Sequence, residues 1–132
     1  MAQVQRNRSG QLFDGGFPYS ATVLPGSTLF TAGISPLDGQ GRITPPGDVV
    51  GQMRTCLRNL RVVLAEQGAA FADIAKLTIY VAERLQADLV VAWQAVVEEF
   101  DDDVPAAMML GVTVLAYDDQ LVEVEAIAAL PA

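Results

Sequence analysis

The residues with the clearest chemical potential are two carboxylates near the C-terminal end, Glu123 and Glu125. They lie two positions apart in residues 121–128, where apolar residues alternate in the way that is typical of a β-strand. Successive side chains of a strand point to opposite faces, so side chains two positions apart share a face. Both carboxylates therefore belong to one face, about 7 Å apart. Two interpretations stay open at this point: a solvated face of a sheet, or an acidic group in a pocket.

Other catalytic residue types are scarce. The sequence has no histidine and a single cysteine, Cys56. The commonest general base and the commonest metal ligand are therefore missing, and we expect neither a cofactor nor a zinc or iron site. Cys56 falls inside a helical pattern and is predicted to be a buried structural thiol. The acidic run at 101–103 is predicted to be a solvated helix end rather than a metal site.

Composition limits the partners. The 132 residues carry a net charge of −8, which argues against nucleic acid, because binding to phosphates needs clustered Lys and Arg. Hydrophobic residues make up 52% of the chain, more than a small monomer can easily bury, so we expect contact between subunits. Neither an apolar leader nor an apolar run of about 18 residues is seen, so we expect a cytoplasmic protein that does not enter the membrane.

The periodicity predicts one domain, 1–132, of class α+β. Strands are predicted at 21–24, 28–33 and 75–81, with a turn at Pro25-Gly26. One helix runs from an N-cap at Asp48 to about residue 67, with Gly68 as C-cap; a second covers 86–100 and buries Trp93. Residues 104–112 and 121–128 are predicted to pair as a closing β-hairpin. Both helices then pack on one face of a mixed sheet, and another subunit covers the other face.

Several short strings, taken in order, resemble the RidA family, also called YjgF or UK-type proteins, over nearly the whole chain. They are residues 17–21 (FPYSA), 31–36 (TAGISP), 59–60 (NL), 73–81 (DIAKLTIYV), 104–106 (VPA) and 121–127 (LVEVEAI). The resemblance implies a chorismate-mutase-like fold and a homotrimer with small-molecule clefts between its subunits. Family members that are enzymes hydrolyse reactive enamines or imines to 2-oxo acids and ammonia.

The resemblance also implies roles for individual residues. Glu123 would position the attacking water, and Tyr19 would close the cleft, which makes these two the candidate catalytic residues. The candidate substrate-binding residues are Gly33, Ile34, Ala107 and Met109.

The sequence departs from the family pattern at a chemically specific place. Ala107 stands where the family has an arginine that holds the substrate carboxylate as a bidentate partner. Met109 stands where a cysteine is common, and Val90 where many members have asparagine. We therefore expect the usual activity on 2-iminocarboxylates to be lost or weak.

Three functions remain open. The first is a homotrimer that binds or transforms a small molecule but lacks the usual deaminase activity. The second is an enamine or imine hydrolase in which Glu123 positions water. The third is a non-enzymatic interaction or chaperone-like protein. An endoribonuclease role, which has been attached to relatives, is disfavoured by the net charge of −8 and the missing histidine.

Overall fold

A computed structural model describes residues 3–16, 19–24 and 28–131, and within them an α+β fold. In chain order the elements are β1 (Gln3–Asn7), β2 (Ser20–Leu24), β3 (Thr28–Thr31), α1 (Val49–Glu66), β4 (Ile74–Val81), α2 (Gln86–Glu99), β5 (Ala107–Gly111) and β6 (Val122–Ala129). The strands form one sheet in the order β1-β2-β3-β6-β4-β5. The predicted turn at Pro25-Gly26 and the first two residues of the 17–21 string lie outside the described residues.

Helix α1 has the predicted start, and it ends one residue before the predicted end. The carboxylate of Asp48 accepts a hydrogen bond of 3.0 Å from the amide of Gly51, which fixes the first turn. Gly68 has a φ of +81° and lies one position beyond the capping residue, Gln67, rather than being the cap itself. The buried face follows the predicted spacing and includes Met53, Leu57, Leu60 and Leu64.

Helix α2 also has nearly the predicted bounds, but Trp93 does not lie on its packed face. Trp93 was predicted to lie in the core, and this is wrong, because the side chain is 36% exposed. The buried stripe is formed by Ala92, Ala95 and Val96, three positions at helical spacing. Trp93 follows Ala92 by about 100° around the helix and so lies at the edge of this stripe. Among the described residues, neither helix is long and apolar enough to cross a bilayer.

The predicted closing hairpin is wrong, because β5 and β6 do not pair with each other. Strand β4 lies between them, antiparallel to β6 and parallel to β5. Tyr80 of β4 pairs with Glu123, and Leu77 pairs with Ala107. The chain passes from β4 through α2 to β5, which is the crossover that a parallel pair requires. The largely buried β4 thus takes the inner position that its apolar sequence suits.

The two faces of the sheet differ as the alternation in β6 predicts. Val122, Val124, Ala126 and Ala128 are buried, while Glu123, Glu125 and Ile127 point to the other face. On that face, which we call the open face, four large apolar side chains remain exposed: Phe30 (41%), Met108 (45%), Leu110 (39%) and Ile127 (37%). Helix α1 and helix α2 leave this face uncovered.

Candidate functional site

Glu123 lies beside a cavity of about 210 Å³ near the start of β6. The cavity is lined by Tyr19, Gly33, Ser35, Leu37, Ala116, Tyr117 and Glu123. Three chain segments meet there: the residues before β2, the residues after β3, and the loop that leads into β6. Mutual backbone hydrogen bonds between Ile34 and Val124, of 2.6 and 3.1 Å, hold the segment after β3 against β6. The sequence-predicted residues Tyr19, Gly33 and Glu123 thus share one cavity.

Gly33 allows the carboxylate of Glu123 to lie directly against the backbone. A Cβ atom at position 33 would stand 2.7 Å from Oε1 of Glu123, so a larger residue there would displace this carboxylate. Glycine is therefore the residue that leaves this carboxylate its place in the cavity wall.

A short relay of hydrogen bonds orients Glu123. The hydroxyl of Ser35 donates to Oε1 of Glu123 at 3.1 Å. The side-chain amide of Gln120 donates to the same hydroxyl at 2.9 Å, and to the carbonyl of Val122 at 3.0 Å. Sequence reasoning missed Ser35 and Gln120 as site residues. Their only signals in the sequence were that Ser35 is a polar residue inside the 31–36 string and that Gln120 ends the polar segment 117–120 before β6.

Tyr19 forms a fixed wall of the cavity. Its ring is buried, and its hydroxyl donates a hydrogen bond of 2.7 Å to the carbonyl of Phe13. Burial raises the pKa of Tyr19 above its usual value, and nearby Tyr117 and Asp14 add to the effect. The phenol therefore remains protonated at neutral pH, with its hydrogen directed at a backbone carbonyl.

Ile34 supports the cavity from behind rather than lining it. Its side chain is fully buried, and its carbonyl lies 3.4 Å from the sulfur of Cys56 on α1. Cys56 is fully buried, as predicted for a structural thiol. Burial, together with the charge of Glu123, raises the pKa of this thiol well above its usual value, so it is not poised as a nucleophile.

Ala107 and Met109 do not reach this cavity within their own chain. Both lie on the edge strand β5, separated from β6 by β4, and both pack partly against the core. Ala107 is offset from Glu123 by three residues along the strand direction and by two strand spacings across the sheet, which together separate them by about 14 Å. Of the predicted site residues, the chain by itself therefore brings Tyr19, Gly33 and Glu123 together and leaves Ala107 and Met109 apart from them.

Arg42 and Arg84 also lie away from the cavity of Glu123. Arg84 lines a larger depression of about 890 Å³ between β4, β5 and the start of α2, which shares no residue with the cavity of Glu123. Arg42 is held in a turn by backbone contacts with Asp38. We take the smaller cavity as the candidate site because a carboxylate, a hydroxyl and two phenols converge on it. The described residues contain no cluster of three or more acidic or thiol ligands that could hold a metal ion.

The sequence of this chain is similar to those of one known protein family. The model of the family described as Endoribonuclease L-PSP matches residues 13–130, nearly the whole chain. A RutC family protein of Pyrococcus horikoshii is 32% identical over 111 residues, which are 84% of this chain and 86% of the relative. This chain belongs to the RidA/YjgF family.

Further relatives agree with this placement. TdcF of Escherichia coli K12, provisionally named a reactive intermediate deaminase, is 32% identical over 84% of this chain and 85% of its own length. Among solved structures, the YjgF gene product of E. coli superposes with a TM-score of 0.79 at 23% identity, over 95% of this chain and 98% of the other. This chain therefore has the fold of that YjgF protein.

Proposed function

We propose that this RidA/YjgF protein is a homotrimer that binds a small molecule in clefts between its subunits, with Glu123 as the main polar group. We further propose that it has little of the 2-iminocarboxylate deaminase activity expected of the family. The observation that carries the proposal is the cavity in which Gly33 leaves room for the carboxylate of Glu123. A solvated sheet carboxylate would need neither this close approach nor the relay through Ser35.

The trimer is supported by the open face of the sheet. Phe30 and Ile127, which pair across β3 and β6, leave an apolar surface that a neighbouring subunit would cover. The trimer also supplies the missing half of the cleft. Ala107 and Met109 do not reach Glu123 in their own chain, so they would approach the cavity of a neighbour from its other side.

We expect a mass of about three times 14.0 kDa by light scattering. The variant Ile127→Asp should shift the protein to monomer, because a charge on a buried apolar interface is strongly unfavourable. Val91→Asp is the matched control: Val91 is 40% exposed, like Ile127, but lies on α2 in the helix layer. A monomeric mass for the unmodified protein would contradict the trimer, and equal masses for both variants would contradict the placement of the interface on the open face.

A second candidate function is hydrolysis of an imine, and the orientation of Glu123 favours it. Only Oε1 accepts a hydrogen bond from the described residues, from Ser35, so Oε2 is available to a water molecule in the cavity. A carboxylate in this position can accept a proton as water attacks the imine carbon. The cavity volume of about 210 Å³ corresponds to roughly seven waters, enough for a small substrate and one water.

The ammonia released from freshly generated 2-iminopropanoate tests this proposal. We expect the rate to fall well below that of a relative that carries the arginine, because Ala107 supplies no carboxylate clamp. Any residual turnover should fall a further 10²- to 10⁴-fold in Glu123→Ala, the usual contribution of a general base. A rate equal to that of the arginine-bearing relative would overturn the proposal that this protein has little deaminase activity.

The remaining alternatives have less support. Ribonuclease activity, which the family description names, would place phosphates beside a carboxylate on a chain of net charge −8. A purely non-enzymatic interaction role would leave the Gly33 and Ser35 contacts to Glu123 without a purpose.

A further inference from the structure

We infer that the ligand of the Glu123 cavity is a small organic cation: an ammonium or iminium group on a compact apolar body, without a carboxylate. The inference rests on the proposed function, in that it takes this cavity to be a ligand cleft, and it assigns the chemical class of the ligand.

The charge of Glu123 has no counter-charge within the described chain. The side chain is half-buried, and within the described chain its carboxylate accepts one hydrogen bond, from the neutral hydroxyl of Ser35. The ion pairs of the described residues join Arg8 to Asp14 and Arg54 to Glu98 and Glu99, and none of them involves Glu123. A partly desolvated carboxylate without a counter-charge favours a cationic partner.

The cavity wall also suits a cationic ligand. Among the described residues that line it, none is lysine or arginine, and the polar groups beside Glu123 are Ser35 and the phenols of Tyr19 and Tyr117. Aromatic faces attract cations through their quadrupole, and Leu37 and Ala116 provide apolar contact for the rest of the ligand. An anionic ligand would meet the charge of Glu123, with no lysine or arginine of the described lining to offset it.

The size of the cavity limits the ligand to a compact molecule. A dry apolar cavity of about 150 Å³ holds one benzene molecule, so a cavity of about 210 Å³ accommodates a ring with a short charged arm. Benzylammonium has this size and charge. Benzyl alcohol, which is neutral, and benzoate, which is an anion, have nearly the same shape.

An iminium ion is the reactive member of this class, and its hydrolysis balances with the residues present. The water oxygen bonds to the iminium carbon while Glu123 accepts one water proton, and a neutral carbinolamine forms. Glu123 returns that proton to nitrogen, the carbon–nitrogen bond breaks, and the hydroxyl proton leaves with the ammonia. The products are an aldehyde or ketone and ammonium, the total charge stays at +1, and Glu123 ends as the carboxylate.

Titration calorimetry with benzylammonium, benzyl alcohol and benzoate tests the inference on the unmodified protein, Glu123→Gln and Glu125→Gln. We expect benzylammonium to bind about tenfold more tightly than benzyl alcohol, the gain of a charged over a neutral hydrogen bond, and benzoate to bind least. The preference should disappear in Glu123→Gln and persist in Glu125→Gln. The control removes the same charge two residues away on the same strand, where the hydroxyl of Tyr80 donates to Glu125.

A second variant keeps the test decisive if Glu123→Gln is unstable. Tyr117 is 38% exposed, so its replacement disturbs the core little. Tyr117→Leu should weaken benzylammonium binding about two- to fivefold, and Tyr117→Phe should not, because the phenyl ring preserves the attraction for a cation.

The possible results separate this inference from the proposed function. If benzoate binds as tightly as benzylammonium, or if the cation preference survives in Glu123→Gln, the assigned ligand class is overturned while the cleft itself stands. If none of the three probes binds, the ligand cleft is overturned and the inference falls with it.

Discussion

The Ala107→Arg variant is expected to release ammonia from 2-iminopropanoate about 10²- to 10⁴-fold faster than the unmodified protein at subsaturating substrate. The guanidinium would form two charge-assisted hydrogen bonds with the substrate carboxylate, each worth about 1.5–3 kcal/mol. Together these correspond to the stated gain, since each 1.4 kcal/mol is a factor of ten. Ala107 is half-buried at the start of the edge strand β5.

The control for this prediction is Ala107→Gln, which adds a polar stem without the charge and should bring little gain. The double variant Ala107→Arg with Glu123→Ala should lose the gained activity, because the clamp holds the substrate and the carboxylate acts on it. Since the residue at 107 would serve the cavity of a neighbouring subunit, the gain also requires the trimer. A trimeric Ala107→Arg protein with unchanged activity would show that the missing arginine does not explain a weak deaminase.

The sequence was sufficient for features that depend on local periodicity. Both helices begin and end within one residue of their predicted bounds, because the residues that determine the bounds lie within or next to each helical segment. The alternation in β6 correctly separated the buried valines from Glu123 and Glu125. The predicted hairpin is wrong because strand pairing is not local. Strands β5 and β6 are neighbours in the chain, but β4 separates them in the sheet.

Features that depend on contacts between distant segments were not predictable from the sequence. Strand β1 lies in a polar stretch, and it is held partly by the side chain of Asn7, which donates to the hydroxyls of Ser20 and Thr22. Likewise, Ser35 and Gln120 are 85 positions apart, and only the folded chain shows that they form one relay toward Glu123. A sequence pattern carries no signal for a polar group whose partner is set by the tertiary fold.

Replacement of Gln52 by alanine is expected to lower the free energy of unfolding by about 3–5 kcal/mol. Gln52 is fully buried on α1 and makes three hydrogen bonds to the backbone. Its side-chain nitrogen donates to the carbonyls of Pro45 and Asp119, both at 3.0 Å, and its oxygen accepts from the amide of Leu121 at 2.8 Å. Gln52→Ala removes these three hydrogen bonds, which contribute about 0.5–1.5 kcal/mol each, and also creates a cavity in the core.

Urea denaturation at one fixed protein concentration measures this effect, since the stability of an oligomer depends on concentration. Gln94→Ala, at an exposed position of α2, is the matched control and should change the free energy by less than about 0.5 kcal/mol. Because Gln52 ties α1 to the loop that contributes Ala116 and Tyr117 to the cavity, Gln52→Ala should also weaken ligand binding under conditions where the protein remains folded. A loss of stability no larger than that of the control would mean that this amide does not hold the loop, and that the cavity wall depends on the relay through Gln120 alone.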